Sequence, residues 1–201
     1  MPGEKENLGN GVAYCPHCDG PFFKNKDVAV VGGGNSGIEA ALDLAGIVKK
    51  VTVLEFMPDL KADKILIDKA EAKDNIEIIK NAQVERVVSE QGKVTGLDYL
   101  DRNTTNQKTV DLDGIFVQIG LVPNSQFLLD VVELTSHGEI VVNENGETSE
   151  KGIYACGDVT TVPYKQIIIS MGEGAKTALS VADYLMKTED YDIELAGARS
   201  A

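Results

Sequence analysis

The apolar residues of this chain are laid down in short runs whose period switches along the sequence. Val28-Ala29-Val30-Val31 is a continuous apolar run that breaks into Gly32-Gly33-Gly34-Asn35-Ser36-Gly37. Beyond the break, Ile38, Ala41, Leu42 and Ala45 recur at i, i+3, i+4 and i+7. The run reads as a buried strand, the break as a tight turn, and the stripe as a helix packed on a sheet, with its alanines allowing close approach. Val51-Thr52-Val53-Leu54 is a second buried strand. Asp63 to Lys73 carries a Leu/Ile stripe among charges and predicts a crossover helix with a solvated outer face, followed by a strand over Asn75-Ile76-Glu77-Ile78-Ile79. From Gln83 to Leu112 apolar and polar residues alternate, with turns at Gln91-Gly92 and Arg102-Asn103-Thr104, the pattern of a β-meander. Asp113 to Asn124 is a near-continuous apolar run closed by Gly120 and Pro123, another buried strand. Ala175 to Met186 predicts a helix with Ala178, Leu179, Ala182 and Leu185 on one face. Met1 to Gly11 and Thr188 to Ala201 show no periodicity and are expected to carry little order.

Strands alternating with helices predict an α/β fold, a doubly wound Rossmann-like domain with an inserted β-meander. Its chemistry lies in the break after the first strand. Gly32, Gly34 and Gly37 match G-x-G-x-x-G, with Asn35 and Ser36 inside the turn. That spacing serves a tight turn, a close backbone approach to a pyrophosphate, and close helix–strand packing, while the new helix turns its free N–H groups toward the phosphates. Glu55 ends the second strand, 23 residues after Gly32, near the separation at which an acid bonds a ribose 2′-hydroxyl. Strand, loop, helix, strand and acid in this order predict a dinucleotide site; the competing reading is a turn whose glycines serve packing alone.

Composition narrows the partners. The 201 residues carry a formal net charge of −13 and 43% hydrophobic residues, enough for a sizeable core. Clustered Lys and Arg are absent, which argues against nucleic acid and against an anionic membrane surface. No run approaches a spanning helix and the first residues lack a signal-like stretch, so a cytoplasmic location is expected. Three cysteines, an odd number, do not suggest a secreted disulfide framework. Two of them form Cys15-Pro16-His17-Cys18-Asp19-Gly20, a C-x-x-C pair just upstream of the nucleotide unit. Such a pair closes a small reversible disulfide whose thiolates attack other disulfides. Zinc is the main alternative; a four-ligand site usually shows a second pair, and the only other candidates are His17 inside the loop, distant His137 and lone Cys156, while an inert structural pair is the second alternative. Asp19 reads either as a turn residue or as a proton donor to a departing thiolate.

Cys15-Pro16-His17-Cys18-Asp19-Gly20 followed by Gly32-Gly33-Gly34-Asn35-Ser36-Gly37 resembles the low-molecular-weight thioredoxin reductase family, and the likeness runs from about Gly11 to about Lys187. The resemblance implies a disulfide reductase with NAD(P)H and FAD as cofactors. In it Cys18 faces the flavin, Cys15 attacks a partner disulfide, and Asp19 supplies the acid. It implies that backbone near Gly120 lies close to the dinucleotide, although by itself Gly120 reads as a turn after a strand. Thr148 to Asp158 resembles the family's second flavin motif, a short strand ending in Gly157-Asp158, with the Asp158 carboxylate on a ribityl hydroxyl. Lys165 counts among the implied cofactor-binding residues, and the backbone around Gln166 and Ile167 would face the pyrimidine edge of the flavin. Cys156, beside that motif, reads as a buried small hydrophobe.

NADPH-using members are expected to carry basic residues after the second strand. Here Glu55 would repel a 2′-phosphate, Phe56 and Met57 offer no side-chain donor, and only Lys61 could pair, so NADH is expected over NADPH. The implied partner is a thioredoxin-like domain or a peroxiredoxin disulfide, the implied assembly is a homodimer, and no metal is expected. The family would carry an earlier G-x-G-x-x-G for the ADP half of FAD, and this sequence has one such unit. The expectation is an N-terminally truncated chain in which residues 1–26 end a first flavin-domain segment, 27–121 bind the nicotinamide nucleotide, and 122–201 form a second, partial FAD-binding segment. A nucleotide-holding module without turnover and an NADH oxidase are the other two readings.

Overall fold

The computed structural model describes residues 1–188. They fold as two compact units, Met1–Gly120 and a second beginning at Leu121. The first unit holds a five-stranded sheet built from β1 (Val12–Ala13), β2 (Asp27–Val31), β3 (Lys50–Leu54), β4 (Ile76–Ile79) and β8 (Gly114–Val117). Its order is β1-β8-β2-β3-β4, with every pair parallel. Between the strands lie α1 (Pro16–Asp19), α2 (Asn35–Ala45) and α3 (Lys64–Glu71). β5 (Ala82–Glu90), β6 (Lys93–Asp101) and β7 (Asn106–Asp111) form a separate antiparallel sheet, the inserted meander.

The strand period of two sorts the core into two layers. Val28 and Val30 of β2, Val51 and Val53 of β3 and Phe116 of β8 pack against Ile38, Ala41 and Leu44 of α2. The alternate residues Ala29, Val31, Leu54, Ile115 and Val117 pack against Val87, Val94, Leu97 and Tyr99 of the meander. Helices therefore cover one face of the parallel sheet and the meander covers the other.

The meander is also pinned through its polar side. The Asp98 carboxylate accepts from Thr109 Oγ1 and from Arg86 Nε, each at 2.6 Å. The Thr109 bond first, and the Arg86 bond after it, hold this carboxyl below the usual carboxylate range. A depressed carboxyl contributes stability that is complete above its unfolded pKa, about 3.9, and is lost as pH falls through the folded value. Asp98→Asn is expected to lower stability by no more than about 1 kcal/mol near neutral pH, because Arg86 is largely exposed. Urea titrations of variant and parent should converge in acid, and a constant difference across pH would contradict this assignment.

Several segments differ from the sequence expectation. Met1–Gly11 is ordered: Asn7 is buried and donates to the Gly3 carbonyl, Val87 N–H donates to Pro2 O, and Val94 N–H donates to Asn10 O. Such backbone bonds leave no trace in hydrophobic period. The two-residue β1, too short to register as a run in the sequence, enters the parallel sheet beside β8. β8 is four residues long rather than the whole apolar stretch, since Gln118 N–H makes the last rung to Val31 O and Gly120 then turns to φ 100°.

In the second unit, the expected strand before Gly157 is only an isolated bridge between Glu147 and Tyr154, followed by a 3-10 turn over Gly157–Val159. Helix α4 (Ile167–Met186) starts eight residues before Ala175 and runs through Gly172 and Gly174. Each glycine lowers helix propensity by about 1 kcal/mol against alanine, which is why the sequence pattern begins only beyond them. Cys156 is partly rather than fully buried. Of the expected tail, residues 189–201 lie outside the described residues.

Candidate nucleotide groove and redox disulfide

The loop after β2 owes its shape to glycines with different duties. Gly32 takes φ 118°, and a Cβ there would lie 2.3 Å from the Gln118 carbonyl oxygen. A Cβ on Gly37 would lie 2.0 Å from Gly32 O, so helix α2 can sit this close to the loop only without a side chain. Gly34 differs: its backbone is extended (φ −82°, ψ −176°), and a Cβ there would meet nothing within 4 Å. Nothing in the chain itself requires glycine at 34. It caps α2 without a side-chain hydrogen bond, so the N–H groups of the first turn are left to the groove that it lines.

That groove, about 420 Å³, is lined by Val31, Gly32, Gly33, Gly34, Asn35, Ser36, Leu54, Glu55, Phe56, Ala82, Val84, Gln118, Ile119 and Gly120. Its size suits a small-molecule site. Among the described residues no lysine or arginine lines it, so an anion there would be held by backbone N–H groups and the positive end of α2. Glu55 is buried; its Oε2 accepts from Gly33 N–H at 2.6 Å and its Oε1 from Met57 N–H at 2.8 Å. Asn35 lines the groove while its side chain exchanges bonds with Asp63: Nδ2 donates to Asp63 Oδ2 at 3.2 Å and Oδ1 accepts from Asp63 N–H at 2.7 Å. This fixes the first turn of α2 against the start of α3.

Cys15 and Cys18 form a disulfide across the N-terminus of α1. Cys15 is the N-cap residue, Pro16 opens the helix, and Cys18 N–H donates to Cys15 Sγ at 3.1 Å. Pro at the first helical position fits because its missing N–H would have no partner there. Cys18 is exposed and Asp19 half-buried, and His17 Nδ1 lies 3.3 Å from the Asp43 carboxylate of α2. Just beyond, Phe23 is buried edge-on against Phe116, with ring centroids 5.3 Å apart, and anchors the motif to the sheet. Among the described residues no cluster of three or more His, Cys, Asp or Glu could hold a metal ion.

Disulfide and groove follow the carboxyl ends of strands in one parallel sheet: the disulfide follows β1, the glycine loop β2, Glu55 β3 and Gln118 β8. In open α/β sheets that edge is where ligands bind. Gln118, which lines the groove, donates from Nε2 to the carbonyl of Tyr14, the residue before Cys15, at 2.7 Å. Sequence reading missed Gln118, although a lone polar residue in the apolar run from Ile115 to Val122 was the signal. It also missed Phe56 and Arg102 as a pair: the guanidinium lies 4.0 Å from the ring centroid, a contact between residues 46 apart that no spacing rule anticipates.

The second unit gathers part of the remaining predicted set. Asp158 and Lys165 line a cleft of about 440 Å³ with Leu121, Val122, Pro123, His137 and Glu139. Asp158 Oδ1 accepts from Ser170 Oγ at 2.8 Å, and Lys165 pairs with Glu139 at 3.0 Å and donates to the Thr160 carbonyl. A carboxylate that accepts and an ammonium that donates are suited to ligand hydroxyl and carbonyl groups. Gly157, at φ 77°, packs under Ser170. Gln166 caps α4 and Ile167 opens it, and neither lines this cleft.

The model of the family described as "Pyridine nucleotide-disulphide oxidoreductase" matches residues 1–178. An alkyl hydroperoxide reductase component from Pseudomonas putida is 56% identical over 188 residues, covering 94% of this chain and 36% of that protein. A Bacillus subtilis protein named NADH dehydrogenase is 56% identical over 187 residues, covering 93% of this chain and 36% of its own length. The structure of thioredoxin reductase from Streptococcus pyogenes superposes with a TM-score of 0.87 at 34% identity, over 94% of this chain and 61% of that one. The chain thus spans about a third of the length of the curated relatives it matches.

Proposed function

Because the chain belongs to the pyridine nucleotide-disulphide oxidoreductase family, we propose that it is the part of a flavoprotein disulfide reductase that holds NADH and the redox disulfide. One observation carries this reading: the dinucleotide loop and the Cys15–Cys18 disulfide share the carboxyl edge of one parallel sheet, linked by Gln118. Gly34 and the first turn of α2, with Asn35 and Ser36, hold the pyrophosphate through N–H groups, while Gly32 and Gly33, whose own amides are bonded to Leu54 O and Glu55 Oε2, shape the loop, and Glu55 receives the ribose hydroxyl. Gly120, at the groove's end, approaches the nicotinamide half. Asp158, Lys165 and the start of α4 at Gln166 and Ile167 are the chain's contribution to an FAD site, where the acceptor and donor of the second-unit cleft fit the ribityl hydroxyls. Bound FAD supplies the chemistry of accepting a hydride and releasing two electrons to the disulfide.

Those two electrons break the Cys15–Cys18 bond and leave two thiols after proton uptake. The Cys15 thiolate, favoured by the Cys18 N–H aimed at its sulfur, attacks the partner disulfide and forms a mixed disulfide with release of one partner thiolate. Cys18 then attacks Cys15, closing the internal disulfide and freeing the second partner sulfur, with Asp19 as the proton donor. The partner is a thioredoxin-like domain or a peroxiredoxin, a reading supported by the hydroperoxide reductase relatives. Large exposed apolar side chains of the second unit, Val122, Phe127, Ile167, Ile168 and Met171 among them, support further contacts in a homodimer. Among the described residues no helix is long and apolar enough to cross a membrane; the proposed location is the cytoplasm.

NADH is the proposed donor because among the described residues no cation lines the groove to receive a 2′-phosphate, and Glu55 lines it. Calorimetric titration is expected to give at least about ten-fold tighter binding for NADH than for NADPH, the scale of one lost charge-assisted contact. Equal affinities would overturn the NADH assignment, and no binding of either would overturn the nucleotide site. In the flavin-loaded longer protein, anaerobic thiol titration is expected to find two new thiols per NADH consumed.

A further inference from the structure

The groove has a chemical order along its length. At one end Gly34 and the first turn of α2 present backbone N–H groups; next stands the Glu55 carboxylate, bonded to Gly33 N–H. Beyond Glu55 the lining turns apolar, with Phe56 following it in sequence and Ala82 tied beside it by Ala82 N–H donating to Glu55 O at 2.9 Å. Phosphate receptor, hydroxyl receptor and apolar wall in succession match the order phosphate, ribose, base. The Phe56 ring is 47% exposed, yet it is held. The Arg102 guanidinium stacks on it at 4.0 Å, and Arg102 Nη1 donates to the Phe56 carbonyl at 2.8 Å. Arg102 is fixed in turn, its N–H donating to Asn81 O at 2.8 Å while Asn81 N–H donates to Met57 O at 3.1 Å. Phe56 lines the groove and Arg102 is not among its lining residues, and the guanidinium occupies one face of the ring.

Building on the nucleotide reading above, we propose that Phe56 is the stacking platform for the adenine of the dinucleotide, and that Arg102 is the positioning residue that holds it there. Stacked on the ring and bonded to the Phe56 carbonyl, Arg102 is assigned to the platform and not to a 2′-phosphate. The platform selects a planar base by its π-face and leaves the choice of sugar to Glu55.

The test is calorimetric titration of this chain with ADP-ribose, NADH and NADPH, with the ultraviolet band of adenine followed in parallel. Phe56→Leu, which keeps an apolar side chain without the ring, and Phe56→Ala are both expected to weaken ADP-ribose and NADH by about ten-fold, the usual loss for one stacked base. Both should also abolish the hypochromism of the bound adenine. Arg102→Ala is expected to weaken the same two ligands about three-fold, as loss of an exposed cation–π contact would. Thermal melts matching the parent exclude misfolding as the cause. ADP-ribose affinity in both Phe56 variants within two-fold of the parent would overturn the platform while leaving the nucleotide site standing. A selective loss of NADPH affinity in Arg102→Ala would overturn the positioning role, because the guanidinium would then serve the phosphate. Failure of the unaltered chain to bind ADP-ribose would overturn the nucleotide reading and this inference together.

Discussion

Gly34→Ala is expected to leave the chain folded and to weaken NADH binding at least ten-fold, whereas Gly32→Ala is expected to damage the fold itself. The contrast follows from what each new methyl group meets. At 32 it enters a backbone at φ 118°, which a side chain rarely adopts, and comes within 2.3 Å of the Gln118 carbonyl. Backbone strain of that kind costs about 1–3 kcal/mol before the clash is counted. At 34 the backbone already suits any residue and the methyl meets no protein atom, so stability should change by less than about 1 kcal/mol, the small cap penalty being offset by reduced unfolded-state entropy. The methyl instead occupies the space where a pyrophosphate would approach the first turn of α2. Thermal melts and NADH titrations on the two variants decide the matter. If Gly34→Ala binds NADH like the parent, the loop is a packing device and the nucleotide reading of the groove is lost.

The second large effect concerns the disulfide. With the flavin-bearing remainder of the protein supplied, Cys15→Ser and Cys18→Ser are each expected to reduce NADH-dependent disulfide reduction by at least about 10³-fold, the scale on which loss of a nucleophile is felt. NADH affinity should not move, because neither cysteine lines the groove. Nor should the fold be lost: the bridge joins residues only three apart, and closing so small a loop stabilises by about 2 kcal/mol at most in the chain-entropy model. Reductase activity surviving either substitution would remove the disulfide from the pathway. Peroxide formation that persists at the parent rate in both variants, with no disulfide ever reduced, would favour electron delivery to oxygen instead.

What could be read from the sequence was whatever is local. β2, its glycine turn, α2, β3 and Glu55 form one contiguous unit whose hydrophobic period changes from strand to helix at the glycines, and the structure keeps it in that order. The meander was legible for the same reason, because alternation and turn residues lie within each hairpin. The contacts that finish the groove join residues far apart in sequence: Gln118 to Tyr14, Arg102 to Phe56, Ala82 to Glu55. Each depends on which strands become neighbours, and strand order is a property of the folded sheet. Ordered Met1–Gly11 belongs with them, since it is held by backbone bonds to the meander that any residue could make. The start of α4 was hidden differently, by two glycines that argue locally against a helix that the rest of the unit nonetheless builds.

Glu55 has a consequence for how the cofactor choice of such a chain could be altered. Its carboxylate is both the ribose receptor of the proposed site and the brace of the glycine loop, through Gly33 N–H, and of the following turn, through Met57 N–H. A substitution that removes the negative charge to admit a 2′-phosphate also withdraws two acceptors from buried or half-buried amides. Selectivity and loop shape are therefore coupled in one side chain, and an engineered or evolved switch to NADPH must first find another partner for the Gly33 amide. The order of steps is constrained: brace before charge.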